Sequence, residues 1–558
     1  MKKIIYILAV IAIFTSCKKD FLDVKPKTEF SDDNFWTSES NLKSFSFGLY
    51  STFKGYGQGS YFGGDHFFTV LTDDVLALRG DLDFPAEVPA TSGQAGWDWS
   101  MIRKANILID GAKKASVSTE VKNEYIGVGR FFRALLYWEK VEKFGDVPFY
   151  NKPIDSSDED ALYKGRDSRV VVIDSILADL NFAVKHLSAD PDKVMVTKWT
   201  ALAAKSRVCL YAGTMLKYHG VDAAKSKVLL QASLDASKEI MNSGKFALVA
   251  NYSNIFNSQD LTGSPEAILV KKYNQNFSHS IKSFIYHEPY IGFSNSAASA
   301  FLMKDGKPVK YDGADHPGYT EWVFNTTDEM KTSLTEYKTH VRIADDRDER
   351  IVSIIDTTRL VFLLNGGIPV FSPIKYTSYH EDENRPTQGV RGESDAPIYR
   401  YGEVLLNSAE AAFELGVCDQ TVLDNTINLL RDRAKVAHLT VAVGFDAADR
   451  DPSVDPLLWE IRRERRVELM LEPSRLNDLN RWKKGEYYDA EDSFYGVKID
   501  PAVTFEAGIN PIKTADGHLY LVKTTDRRKP WEDKKYLYPL PADQLVLNPN
   551  LLPQNTGW

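Results

Sequence analysis

From Thr197 to Gly213 the apolar and small residues Trp199, Leu202, Ala203, Ser206, Cys209, Leu210 and Gly213 recur at the spacing of one helical face, and Lys198, Lys205 and Arg207 fall on the other. This predicts a helix lined on one side by small residues, which lets a second helix approach closely. Leu229–Met241 repeats the usage with Ala232 and Ala236, and Glu403–Leu415 followed by Val422–Val436 repeats it far along the chain. A further helix is expected to begin near Ser100. Between 246 and 395 the helical period lapses and Gly, Pro, Asn and Tyr become frequent, which predicts long loops with only short strands, at Ala267–Lys271 and Leu360–Leu364. Gly55–Trp99 is a second irregular region, rich in Gly, aromatic and acidic residues.

The first seventeen residues carry a different pattern. Lys2 and Lys3 lead into an apolar run from Ile4 to Phe14, then Thr15, Ser16 and Cys17, an export signal that ends at a cysteine. The run is short for a bilayer span. Cleavage before Cys17 and acylation of that residue would leave the mature chain anchored by lipid, not membrane-spanning. An ordinary signal peptide with an incidental cysteine is the alternative. Residues 18–37 read as a polar tether that ends at the first packed residues, Phe35 and Trp36.

A chain of 558 residues exceeds the usual size of a single core, so an insertion or several packed lobes are expected. The expected division is 1–16 signal, 17–37 lipidated cysteine and tether, 38–245 helical scaffold, 246–395 irregular ligand-binding lobe, and 396–558 completion of the scaffold. A net charge of −9 gives no electrostatic case for nucleic acid. The 27 Tyr, 29 Phe and 10 Trp supply rings of the kind that stack on sugar faces, although most rings of any globular protein are core. Beyond Cys17 only Cys209 and Cys418 remain, and Cys209, on the apolar stripe, reads as a buried free thiol.

Catalytic and metal chemistry find little support. Glu464 and Glu468 lie one turn apart, as paired acid–base carboxylates would, but Arg462, Arg463, Arg465 and Arg466 share the stretch Glu460–Glu472. Carboxylates so surrounded are held ionised, the opposite of what a general acid needs, so this stretch reads as structural ion pairing continued by Arg475, Asp478, Arg481 and Trp482. No histidine pair has metal-ligand spacing beside a third ligand, and Asp345–Glu349 reads as a solvated turn, not a calcium loop. No metal, cofactor or catalytic residue is expected. Rings and ionic groups on loops are the candidate ligand contacts: Asp73, Asp74, Arg79 and Trp97 from the first irregular region, and Tyr290, Phe293 and Trp322 from the second. Trp97, between Gly96 and Asp98, is expected to present its indole to solvent, so that Trp97→Ala weakens binding without unfolding.

The helix pairs with alanines at their crossings resemble tetratricopeptide-type units, without a regular spacing. Five segments in order resemble the SusD/RagB family of nutrient-binding outer-membrane lipoproteins: WSMIRKANI (99–107), GVGRFFRA (127–134) followed by FGDVP (144–148), RYGEVLLNSAEA (400–411), IRRERRVELMLEPSRLNDLNRW (461–482) and YPLPADQLVLNPNLLPQNTGW (538–558). Val128, Pro473 and Trp558 depart from the family's usual residues, and Lys18, Lys19, Asp20 is a poor version of its acidic run after the cysteine. The resemblance implies a mainly α fold, with four tetratricopeptide-like helix pairs and an irregular, loop-rich lobe of few short strands. It also implies a non-enzymatic, outward-facing outer-membrane lipoprotein that binds an oligosaccharide or polysaccharide and delivers it to a SusC-like, TonB-dependent transporter. A peptide-binding lid of the same transporter class is the nearest alternative, and a surface glycoside hydrolase a more distant one.

Overall fold

The structure, a computed structural model, describes residues 35–59, 64, 72–77, 87–281, 291–312, 314–315, 323–324, 337–338, 346–362, 369–377, 392–499, 512–515, 517–520 and 531–558. Cys17 and the signal run lie outside the described residues. Helices dominate the frame: α1 (Glu39–Phe47), α2 (Ser100–Lys114), α3 (Thr119–Phe144), α4 (Arg169–His186), α5 (Lys198–Tyr218), α6 (Ala223–Asn242), α7 (Tyr401–Glu414), α8 (Ile427–Ala434), α9 (Pro456–Glu468) and α10 (Arg475–Arg481). Their starts are written locally. Ser118, Thr197 and Asp222 each accept the free N–H three residues on, and Asp455 accepts from Leu457 and Leu458 with Pro456 in the first turn. Among the described residues no helix is long and apolar enough to cross a membrane.

The helices pack in sequence, α2 on α3, α3 on α4, α4 on α5 and α5 on α6. The α5–α6 crossing shows why small residues recur there. A Cβ on Gly213 would meet Leu230 Cγ at 2.9 Å. Ser226 Oγ donates to the Gly213 carbonyl at 2.7 Å, Ser233 Oγ donates to that of Ser206 at 2.7 Å, and the Ser206 and Ser237 hydroxyls meet at 2.8 Å. Helix α6 then packs on α7, although the two are separated in sequence by the whole irregular stretch. The scaffold is therefore one array, interrupted in the chain and continuous in space. Arg207, expected on an outer face, joins the halves through a two-point pair with Glu403 of α7, at 2.6 Å for each contact.

Two boundaries differ from the pattern. Val422–Val436 forms two short pieces, Gln420–Asp424 and α8, because Thr426 turns its hydroxyl onto the Val422 carbonyl at 2.5 Å and competes with the helical bond. The charge-dense helix ends at Glu468, not Glu472; Leu471 is left-handed (φ 63°) and Pro473 follows.

The stretch 246–395 is tied off at its base by an antiparallel pair, Ala267–Lys271 with Ala396–Arg400, in which Lys271 faces Ala396 and Ala267 faces Arg400. The expected strand at Leu360–Leu364 lies in Ile355–Phe362. It belongs to a five-stranded sheet ordered Val75–Ala77, Ile291–Phe293, Pro369–Pro373, Ile355–Phe362, Tyr337–Lys338. Val75–Ala77 thus joins a lobe that the composition confined to 246–395, and Tyr495–Ile499, Ile512–Lys513 and His518–Tyr520 form a second sheet there with Val323–Phe324. A second apolar core sits under this lobe, where Phe256, Phe293, Phe371 and Tyr376 pack with Val467, Met470 and Leu471 from the end of α9.

Candidate functional site

Asp73 and Asp74 form the turn before Val75–Ala77, and both are buried. Arg475 Nε and Nη2 donate to the two oxygens of Asp73 at 2.8 and 2.6 Å, and Arg466 Nε donates to Asp74 Oδ1 at 2.7 Å. Burial raises the Asp73 carboxyl, but Arg475 and Arg466 outweigh it and hold the group at about 2; on Asp74 burial wins over Arg466, and the neighbouring Asp73 pushes the same way. These carboxylates pin the loop to α9 and α10, so the expectation that they face a ligand is corrected by their engagement.

The two described rings are inside as well. Trp97 is 6% exposed and packs edge-on against Phe144 (4.9 Å) and Trp99 (5.3 Å). Gly96 is left-handed (φ 67°) and ends the preceding short helix, which turns the indole inward, not out to solvent. Phe293 is fully buried in the sheet core. Arg79, Tyr290 and Trp322 lie outside the described residues.

Beneath the lobe the arginine-rich helix meets its carboxylates. Arg400 donates to Glu266 (3.0 Å), Glu468 (2.6 Å) and Glu472 (2.7 and 2.8 Å), while Glu468 also receives Arg433 (2.5 Å) and Arg350 (2.9 Å). Burial alone would raise Glu468, and the surrounding arginines reverse it to well below the usual carboxylate range. Glu472 is likewise held at about 2, against burial, by Arg400 and Lys375. This is the structural ion pairing the sequence pointed to. The neighbouring acidic stretch is only partly a solvated turn: Asp346 and Glu349 are exposed, but Asp348 is sealed against Arg350 at 2.7 Å. The expectation for Asp348 is thus corrected by the pull of that buried guanidinium. Among the described residues no three His, Cys, Asp or Glu side chains group in a way that would hold a metal. Cys209 is buried and both described thiols are free.

A cleft of about 830 Å³ opens on the helical side, between α3, the C-terminal end of α5, α10 and the terminal segment 533–556. This volume is within the range of small-molecule sites. Trp138, Tyr211 and Tyr536 are buried in its floor, with His219 set edge-on to Tyr536 at 4.9 Å, while Lys483, Asp533 and Thr556 stand exposed at the rim. Most charges here are already engaged. Asp146 accepts from Arg169 Nε at 3.0 Å, Arg166 donates to Asn555 at 2.9 Å, and Arg481 holds Glu410 at 2.6 and 2.7 Å. Glu142 is an exception, as are Lys483 and Asp533 at the rim. It makes no hydrogen bond or ion pair among the described residues, and burial, reinforced by Glu139 and Asp478 against Arg207 and Arg481, pushes its carboxyl up to about 8. Sequence reading passed over this site. The available signal was a glutamate one turn after the buried Trp138 of α3, with Asn477, Asn480 and Arg481 sharing one face of α10.

The family model described as "SusD family" matches residues 265–558, and one described as "Starch-binding associating with outer membrane" matches residues 20–210. SusD-like protein P38 of Formosa agariphila is 23% identical over 505 residues, 86% of this chain and 90% of that protein. SusD-like protein P25 of the same organism is 25% identical over 327 residues, 55% of this chain and 57% of P25, so the chain matches little more than half of that relative's length. Among solved structures, a SusD-like carbohydrate binding protein from Bacteroides fragilis superposes with a TM-score of 0.69 at 22% identity, covering 93% of this chain and 100% of that one. The surface glycan-binding protein A from Bacteroides fluxus gives 0.59 at 18% identity, covering 94% and 100%. At such identities the structural likeness establishes the fold, a mainly helical one.

Proposed function

The chain belongs to the SusD family, and from that premise we propose that it binds an oligosaccharide or polysaccharide at the cell surface without cleaving it, and passes it to a TonB-dependent outer-membrane transporter. Lipid on Cys17 anchors it to the outer membrane, facing outward. The observation that carries this reading is the family match over 265–558, together with a starch-binding description matched by 20–210. The carbohydrate-binding and glycan-binding names of its structural neighbours point the same way. The ion pairing supports a non-catalytic role: Glu464 pairs with Arg350 and Arg431, and the arginines around Glu468 hold it ionised.

Affinity electrophoresis through gels containing soluble starch, xylan, mannan or pectin tests the binding role. Retardation in at least one gel, with no new reducing ends after long incubation, is the expected result. Heat from defined peptides with no retardation in any gel would transfer the role to peptide capture, and released reducing ends would make the protein a hydrolase. Incorporation of labelled palmitate that disappears in Cys17→Ala tests the anchor.

A further inference from the structure

We infer that the cleft on the helical side is a saccharide-binding site in its own right, apart from the loop-rich lobe, which takes a short neutral oligosaccharide through Glu142, Asn477 and Asn480. The inference rests on the glycan-binding reading and says where one ligand sits and of what charge it is. Its physical basis is the distribution of hydrogen-bonding capacity. Most buried polar groups of the frame find partners, as they must to offset desolvation, although single atoms such as Asn257 Oδ1 and Trp459 Nε1 do not. In this cleft Glu142 and Asn477 make no hydrogen bond or ion pair among the described residues, and Asn480 Oδ1 is buried with no donor. The three face one space, alongside the Trp138, His219 and Tyr536 rings. Planar amides and a carboxyl beside the half-buried His219 ring match a sugar, whose hydroxyls both donate and accept.

The charge pattern selects a neutral sugar. Asp146 is held by Arg169, Arg166 by Asn555 and the Pro553 carbonyl, and Arg481 by Glu410. At the rim Lys483 and Asp533, with no partner of their own among the described residues, offset each other. Groups facing Glu142 are Glu139 from its own helix, Arg207 from α5, and Asp478 and Arg481 from α10. The balance leaves its carboxyl mostly neutral near pH 7, able to donate as well as accept, and among the described residues of the cleft no guanidinium is left unpaired for a uronate or sulfate.

The test uses the mature full-length protein with maltotriose, cellotriose, xylotriose and mannotriose, in crystal soaks and calorimetry, with galacturonic acid trimer as the acidic arm. Density for a neutral trisaccharide in the cleft is expected, with affinity falling about tenfold in Glu142→Ala and held in Glu142→Gln at pH 7. Thr556→Trp, which places a bulky ring at an exposed rim position, is expected to produce the same loss with an unchanged melting temperature, so the result does not depend on how well the Glu142 variants fold. Neutral sugars that bind the protein but leave the cleft empty, with both variants within twofold of wild type, would overturn the cleft assignment and leave the glycan-binding reading standing. Preference for the acidic trimer in the cleft would overturn the neutral selectivity. No binding of any sugar, in soaks or in polysaccharide gels, would remove both readings.

Discussion

The two most polar parts of the interior are opposites. Under the loop lobe, Arg400, Arg433 and Arg350 converge on Glu468, and every carboxylate there is matched by a guanidinium or ammonium. In the cleft at the other end of α10, Glu142 and Asn477 have no partner among the described residues. Saturated charge holds the molecule together and has no valence left for a ligand, whereas spare hydrogen-bonding capacity beside a cavity is available to one. Density of charged residues along the sequence therefore points to the frame, and the quieter cleft is the place to look for binding.

The contrast is open to attack from both sides. Arg400→Ala leaves Glu266, Glu468 and Glu472 without their shared partner and is expected to cost about 3–5 kcal/mol in urea unfolding, since breaking a buried pair strands a charge. A loss under 1 kcal/mol would mean the network is not what holds the lobe. Trp97→Ala is expected to cost about 3 kcal/mol by leaving a cavity beside Phe144, whereas an exposed ligand ring would cost almost nothing.

The same contrast predicts opposite pH slopes. Glu410 and Glu472 are held at about 2, against burial, by Arg481 and by Arg400 with Lys375 respectively; the ordinary value is near 4.5. Their stabilisation is fully present above that ordinary value and is lost as pH falls through about 2. Glu142 is raised to about 8, so its contribution is present below 4.5 and is lost as pH rises through 8. Melting temperatures should therefore fall at both ends, and Glu142→Gln should flatten only the alkaline limb. The smallest effect concerns the thiols. Burial pushes Cys209 up to about 12 and Cys418 to about 11, so neither should react with a thiol reagent at pH 7.5 until the chain unfolds. Rapid labelling of native Cys209 would contradict the packing of α5.

Periodicity carried the frame well. The stripe from Trp199 to Gly213 is buried in α5, the run Ala267–Lys271 is a strand, and Cys209 is a free buried thiol. The family resemblance, drawn from five short segments, holds along the chain. The loop residues were another matter. Gly-rich, aromatic stretches look alike whether they are open or folded back, and the burial of Asp73 is set by Arg475, 402 positions later.

What the sequence determined by itself were the local quantities: helix starts at Ser118, Thr197 and Asp455, the small-residue crossing of α5 and α6, and the presence of an arginine-rich helix that had to be paired. Tertiary structure alone decided which carboxylate each arginine takes, which rings are sealed, and that Glu142 has no partner among the described residues. Capping and periodicity act within a turn or two of chain, where order along the sequence is order in space. Pairing and burial depend on groups hundreds of residues apart, and only the folded arrangement brings those within a hydrogen bond of one another.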